Sequence, residues 1–369
     1  MSEQTGDGGQ AGAGGGGGDG NEAPFWADRL VHAVGAAHVM SENGRALVRP
    51  GAPAELVDVM RIAGEVGAAV GIGLGAHNAG GIDVDLSRMC NVLYLDETSL
   101  TVTVQCGITV EALEHALGER SLTLGAALPP WSRTRTLGAL LAAPRASEAS
   151  PRTGRFLQSC IGVQALLPDG TEISTRLAPR KATGPDLMHV VLGGRGTLGI
   201  LSAATVRVQR RQESRAAAAF KLPTLPAALS TARKLIVVGG RPADLAVSGT
   251  GTLWLEVDGP AALVAAEVAL AERIAREHGG EPVPQTPPPR IKARPHERAV
   301  PLETVDSAVL ASSLVGDSVR VIAWHPAGAC VVDSARAPEP PPADAPALVA
   351  ALKRRLDPNG RLVAWPGAV

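Results

Sequence analysis

Apolar residues recur along this chain in two distinct periods, which predict an alternation of helices and strands. From Ala54 to Val66, residues Leu56, Val57, Met60, Ala63 and Gly64 share one helical face, with Pro53 and Glu55 where a helix N-terminus accepts them. Ala68 to Ile72 is short, apolar and strand-like, and runs into a glycine-rich turn. From Leu100 to Cys106, Val102, Val104 and Cys106 alternate with Thr101, Thr103 and Gln105, the period-two pattern of a half-buried strand. Gly107 ends it, and Thr109 caps a helix through Glu111, Leu113, Ala116 and Leu117. Cys160 to Leu167 and Glu172 to Thr175 flank an Asp169-Gly170 turn and predict a hairpin, and Ile200 to Val208 predicts another strand. A second block opens near Arg211. In it Leu253 to Val257 is strand-like, and Ala261 to His278 is a long helix with Leu263, Val264, Val268, Ala271 and Ile274 as its stripe, stopped by Gly279-Gly280. Ala347 to Leu356 predicts a short basic helix closed by an Asp357-Pro358-Asn359-Gly360 turn.

Composition sharpens this outline. A chain of 369 residues suggests two to three domains, and 45% hydrophobic residues suffice for a sizeable core. With only five Trp, three Phe and one Tyr, that core is aliphatic. The same aromatic poverty, with a formal charge of −1, argues against nucleic acid as a partner. Residues 1–24 are glycine-rich and read as a tail too polar and flexible to order itself. Pro282 to Pro295 and Ala337 to Pro346 read as extended linkers or surface crossings. Cys90, Cys106, Cys160 and Cys330 are too widely spaced for a zinc knuckle or disulfide scaffold and read as reduced, structural thiols. No transmembrane run and no signal-type N-terminus is evident, so the expectation is a soluble, cytoplasmic protein.

Candidate chemistry lies in three glycine-rich segments. Gly71 to Gly81 follows a strand, and glycine there either makes a tight turn or lets backbone N–H groups converge on a phosphate. It lacks both the helix of a dinucleotide fingerprint and the Gly-Lys-Ser/Thr ending of a nucleoside-triphosphate loop. The second segment is Gly193-Gly194-Arg195-Gly196-Thr197-Leu198-Gly199-Ile200. The third joins Leu128-Pro129-Pro130-Trp131 to Thr136-Leu137-Gly138-Ala139. Their spread suggests one extended ligand threaded between two subdomains.

Together with Asp85-Leu86-Ser87, Thr101 to Gly107 and Leu167-Pro168-Asp169-Gly170, these segments resemble, in their order, the FAD-binding domain of the vanillyl-alcohol oxidase and p-cresol methylhydroxylase (PCMH-type) superfamily. The chain is most similar to glycolate oxidase FAD-binding subunits and related FAD-linked oxidases. The resemblance runs from about Val48 to Arg210 and returns in Leu352 to Leu362. It implies an α+β, PCMH-type FAD-binding fold of two α+β subdomains with a reduced cap domain. By that reading residues 25–210 form the FAD-binding domain, 211–345 a reduced cap with proline-rich linkers, and 346–369 a segment returning to the FAD domain. Carried over by position, Gly73, Gly75, Ala76, His77 and Asn78 supply main-chain donors to the FAD diphosphate. Thr136, Leu137, Gly138 and Ala139 lie along the flavin, and Gly162, Val163, Gly199 and Ile200 border the adenosine end.

The departures from the family pattern are informative. Ile72 stands for the usual arginine and Leu74 for the middle glycine of the loop. Ala76 occupies the position of the flavin-linking histidine, so FAD is expected to be non-covalent. Ala139 replaces the second glycine of the middle segment, and Gly194-Arg195 replaces Ser-Glu. No His-x-His occurs, which argues against the metal-assisted branch, and no metal is expected.

The resemblance implies oxidation of a CH–OH group on a small 2-hydroxy acid such as glycolate or lactate, by hydride transfer to the flavin. His325 is the candidate base and Arg133 a candidate carboxylate anchor, with Arg135, Arg152 and Arg155 near it. The short cap implies work beside a second flavoprotein subunit and an iron–sulfur subunit. A contrasting reading is a non-catalytic, degenerate paralogue serving as a partner subunit, and a further one is a sugar or alditol oxidase acting alone.

Overall fold

The computed structural model describes residues 25–42, 44–73, 81–125, 128, 132–145, 148–175, 186–248, 250–284, 297–301, 318–322, 329–333 and 345–362. For 297–301, 318–322, 329–333 and 345–348 only the backbone is described.

The first unit packs helices α1 (Ala27–Val34) and α2 (Pro53–Val66) on a sheet of β1 (Val39–Glu42), β2 (Arg45–Val48), β3 (Val70–Ile72) and β4 (Gly81–Val84). Strand order is β1-β2-β4-β3, with β2 and β3 both parallel to β4. Pro53 opens α2 beside an extended Ala52, and Glu55 Oε2 accepts from Gly51 N at 2.8 Å. Gly67, at φ +70°, closes the helix in the left-handed region. Leu30, Leu56, Val59 and Met60 meet Val48, Val70, Ile82 and Val84 in an aliphatic core.

The second unit is an antiparallel sheet of β5 (Val92–Asp96), β6 (Thr101–Gln105), β10 (Cys160–Leu166), β11 (Glu172–Ser174) and β12 (Ile200–Arg207), in the order β11-β10-β12-β6-β5. Between β6 and β10 lie α3 (Val110–Gly118), β7 (Leu122–Thr123), α4 (Leu137–Ala142) and the small hairpin β8 (Ala149–Ser150) and β9 (Gly154–Arg155). α5 (Met188–Val191) precedes β12, and β13 (Gln209–Arg210) pairs with β7. Val102 and Val104 are fully buried as the alternation predicts, and Thr103 and Thr205 bond hydroxyl to hydroxyl at 2.8 Å. Gln105 departs from the pattern. It is buried, because its Oε1 accepts from Asn91 N at 3.0 Å and so satisfies the chain entering β5. Thr109 Oγ1 caps α3 by accepting from Ala112 N. Leu166 and Ile200, register partners in this sheet, are buried in the core of the first unit and join the two.

The third unit begins at Ser214. It is an antiparallel sheet of β14 (Ser214–Lys221), β15 (Asp244–Ser248), β16 (Thr252–Gly259), β17 (Glu281–Val283), β18 (Glu297–Pro301), β19 (Ser318–Ile322) and β20 (Ala329–Asp333). Its order is β17-β14-β16-β15-β19-β20-β18. Helices α6 (Leu225–Val237) and α7 (Ala261–Glu277) cover one face, burying Leu253, Leu255 and Val257 with Leu245, Val247 and Phe220. The proline-rich stretch is therefore partly sheet: Pro282 sits in edge strand β17 opposite Phe220, where a missing N–H is tolerated. Leu263 also departs from its predicted stripe. It is 49% exposed, draped over Gly259 at the sheet rim rather than turned into the core. Among the described residues no helix is long and apolar enough to cross a membrane.

Helix α8 (Ala345–Leu356) returns the chain to the first unit, where Leu362 bridges to Val70 in parallel. Lys353 Nζ ties this return together. It donates to Thr197 O at 2.7 Å, to Leu362 O at 2.6 Å and to Asp357 Oδ2 at 2.5 Å. Burial pushes the Asp357 carboxyl up, but Lys353 and the N–H groups of Leu362 and Arg361 outweigh it and hold it below its ordinary value.

Two stability outcomes follow from this architecture. Gly107 lies against the turn at Leu86, and a Cβ there would stand 1.7 Å from Leu86 O. Gly107→Ala should therefore lower unfolding stability by about 3 kcal/mol, the upper range for overpacking, as read by urea denaturation. Because its pKa is depressed on folding, Asp357 contributes stability above the ordinary carboxyl range that is lost as pH falls through the depressed value. Asp357→Asn should cost about 3 kcal/mol at pH 7 by leaving Lys353 without its carboxylate, and thermal melts should show a flatter acid limb than the parent.

Candidate functional site

The three glycine-rich segments meet. The second, Gly193 to Gly199, is tied to the end of the third, because Gly193 N donates to Leu141 O at 2.9 Å and Arg195 N to Ala142 O at 2.8 Å. It also abuts the first: Gly196, at φ +77°, faces Ile72, and a Cβ at 196 would stand 3.3 Å from Ile72 Cγ1. Arg195 holds φ +52°, a left-handed conformation that few non-glycine residues adopt. The connection is thus over-determined by its neighbours rather than by its own preference.

The structure places the predicted residues unevenly along this seam. Gly75, Ala76, His77, Asn78 and His325 lie outside the described residues. Gly73 turns at φ +88°, but its N–H donates to Val84 O at 2.9 Å. That corrects the expectation of a diphosphate donor at this position. Thr136 caps α4 by accepting from Ala139 N at 3.1 Å, while Leu137 N and Gly138 N donate to Ile108 O and Cys106 O, each at 2.8 Å. The N–H groups of Leu137, Gly138 and Ala139 are thus all engaged, and these residues shape a wall. Leu137 is fully buried, and Gly138 is needed where a Cβ would stand 2.9 Å from Cys106 O. Gly162 and Val163 are buried in β10, where Val163 N donates to Thr175 Oγ1 at 2.9 Å. Gly199 packs against Val191 and Leu166 O, and Ile200 belongs to the joint between the two units.

The arginines divide by role. Arg135 pairs with the buried Glu148 carboxylate and donates to Ala139 O at 2.7 Å and Ala143 O at 2.9 Å. It braces α4. Arg152, on the turn between β8 and β9, pairs with Asp258 of β16 and links the second unit to the third sheet. Arg155 is exposed. Arg133 is exposed with no ion pair among the described residues, and its carbonyl accepts from Glu111 N at 3.0 Å. Burial, with Cys160 nearby, pushes the Cys106 thiol up, which suits a structural thiol rather than a nucleophile.

Arg133 lines a cleft of about 600 Å³ between the second and third units. One wall carries Arg133, Arg152, Arg210 and Arg211, together with Glu111 and Glu114 of α3. The Glu114 carboxylate is already engaged by Thr123 Oγ1 at 3.0 Å and Leu124 N at 2.8 Å. The facing wall carries Asp244, Glu256 and Asp258 with Arg215, which pairs with Glu256. Apolar residues are few: Val110, Leu128 and Ala243.

The acids of the third sheet were missed as site residues, although the sequence carries their signal. In β16, Leu253, Leu255 and Val257 point into the helix-covered core, so Thr252, Trp254, Glu256 and Asp258 share the opposite face. Asp258 touches Arg152 from that face. Trp254 shares it, and its Nε1 is buried with no hydrogen-bond partner. A buried orphan donor on the face toward the second unit fits a bound group that supplies an acceptor there.

Comparison with known proteins agrees with this geometry. Residues 44–176 match the family described as FAD binding domain. An uncharacterized FAD-linked oxidoreductase, YgcU, of Escherichia coli is 29% identical over 160 residues, covering 43% of this chain and 33% of its own. The mitochondrial D-lactate dehydrogenase (cytochrome) 1 of Saccharomyces cerevisiae is 32% identical over 160 residues, 43% of this chain and 27% of its own. The match therefore spans a third or less of these curated relatives. Among solved structures, p-cresol methylhydroxylase with substrate bound superposes at TM-score 0.68 with 12% identity, covering 91% of this chain and 96% of that one. This chain has the mixed α+β fold of PCMH-type flavoenzymes over most of its length, and residues 44–176 are a member of the FAD binding domain family.

Proposed function

We propose that the protein is an FAD-linked oxidoreductase, or the FAD-binding subunit of one, that oxidises a 2-hydroxy acid. The observation that carries this reading is the convergence of the three glycine-rich segments on one seam within an FAD binding domain. Bound non-covalently, as Ala76 suggests, FAD supplies a hydride acceptor. Around it, Thr136 to Ala139 form one wall and the Gly193 to Gly199 connection another. Backbone N–H groups of the loop beyond Gly73 take the diphosphate, since those of Gly73 and residues 137–139 are engaged elsewhere. Trp254 Nε1, buried without a partner, donates from the cap side.

A 2-hydroxy acid is supported by the similarity to a D-lactate dehydrogenase and by an arginine-lined cleft next to the flavin wall. Arg133 holds the carboxylate and orients the C2 hydrogen, and His325 remains the proposed acceptor of the hydroxyl proton. A second flavoprotein and an iron–sulfur protein are the proposed electron partners, and the cytoplasm the proposed location.

Anaerobic addition of glycolate or D-lactate to the flavin-loaded protein tests this reading. Loss of the oxidised flavin band, with stoichiometric 2-oxo acid formed, is the expected result. A flavin that dithionite reduces but no 2-hydroxy acid does would point instead to a non-catalytic partner subunit. Arg133→Ala should lower kcat/KM by about 10²-fold or more, the loss of one charge-assisted carboxylate contact, with KM carrying most of it.

A further inference from the structure

One ammonium group reaches both flanks of the glycine seam. Lys353 Nζ donates to Thr197 O at 2.7 Å, a residue far away in the chain, and within the C-terminal return to Leu362 O and Asp357 Oδ2. An ammonium carries three donors, and here all three are taken. Lys353 therefore has none left for an anion, and it acts on the seam through the backbone it holds.

The contacts around it close into a ring. Thr197 N donates to Gly194 O at 2.9 Å, which makes residues 194–197 a tight turn whose central residues, Arg195 and Gly196, both hold positive φ. Glycine accepts that geometry readily and arginine does not, so the turn needs a tether from outside. Gly196 faces Ile72 at the end of β3, the strand that leads into the first glycine-rich segment. At the start of β3, Val70 N donates to Arg361 O at 2.6 Å and Val70 bridges to Leu362. β3 is the edge strand of its sheet, and the return is what pairs its outer side. The Leu362 carbonyl then leads back to Lys353.

We infer that the C-terminal return is the clasp of the cofactor site, with Lys353 as the positioning residue that sets how tightly FAD is retained. Lys353 fixes the Gly194–Thr197 turn directly and β3 through Leu362, so removing it opens the ring at two points. This inference rests on the oxidoreductase reading above and assigns retention of its cofactor to a side chain with no donor left for FAD.

The test compares the full-length parent with Lys353→Met and with the double variant Lys353→Met/Asp357→Asn. The double variant is the decisive one, because it leaves no buried carboxylate without its cation. Retention is read as the Kd of FAD, from quenching of its fluorescence, and as the rate of FAD release on dilution. Both variants should bind FAD about tenfold more weakly or worse, with most of the loss in the release rate. Arg361→Ala is the control, since Arg361 Nη1 ties the same return to Pro168 O at 3.2 Å, outside the ring. It should change the Kd by about threefold at most. Amide hydrogen exchange of the FAD-free proteins gives a readout that needs no cofactor. The N–H groups of Gly193 and Arg195 should exchange faster in the double variant, while β14 to β16 keep the parent's rates. Parent-like FAD affinity in the double variant, an equal loss in Arg361→Ala, or a double variant that does not fold would overturn the inference. A parent protein that takes up no FAD counts against the oxidoreductase reading instead, and the exchange rates at Gly193 and Arg195 then decide the clasp on their own.

Discussion

Everything at the seam depends on how the backbone from Gly193 to Gly199 is held. Its N–H groups bond to the end of α4, Gly196 presses on Ile72, and Lys353 from the returning C-terminal helix reaches the Thr197 carbonyl. Each contact comes from a different part of the chain, so the segment closes only when both subdomains and the C-terminal return are in place. The backbone accepts this at a conformational cost, with Gly193 and Gly196 at positive φ and Arg195 forced there as well. A ligand channel built this way is shaped by main chain, which explains how so few aromatic and basic side chains suffice for a dinucleotide site.

The third unit contributes a different physical character. Its helix-covered face is aliphatic, and the opposite face of β16 presents an indole and two carboxylates toward the second unit. The Arg152–Asp258 pair joins the two across the cleft. With each group about one-fifth exposed, this link sets orientation more than it adds stability.

Much of this was legible in the sequence where burial is one-sided and local. The alternation of Val102 and Val104 with threonines gave a strand, and Thr109 marked a helix start that the structure shows capped. What was not legible depends on partners distant in the chain. Gly73 looks like an open donor until Val84 is seen to take its N–H, and the N–H groups of Leu137, Gly138 and Ala139 are taken by Ile108, Cys106 and the Thr136 hydroxyl. Gln105 alternates as a polar position yet is buried by its bond to Asn91. Arg135 resembles its neighbours in the sequence, and only the buried Glu148 separates a brace from the exposed Arg133. Strands at 297–301, 318–322 and 329–333 complete the third sheet without a period long enough to announce them.

The claim at the centre is that the closed glycine seam holds FAD through its backbone. Its most direct test is the flavin content of the purified protein against that of Gly196→Val, which places a branched side chain at φ +77° against Ile72. The account predicts stoichiometric FAD, released intact by acid precipitation, in the parent protein, and at least a tenfold weaker retention in the variant while the third unit stays folded. Equal flavin retention by the two proteins, or no flavin in either after reconstitution, would contradict it.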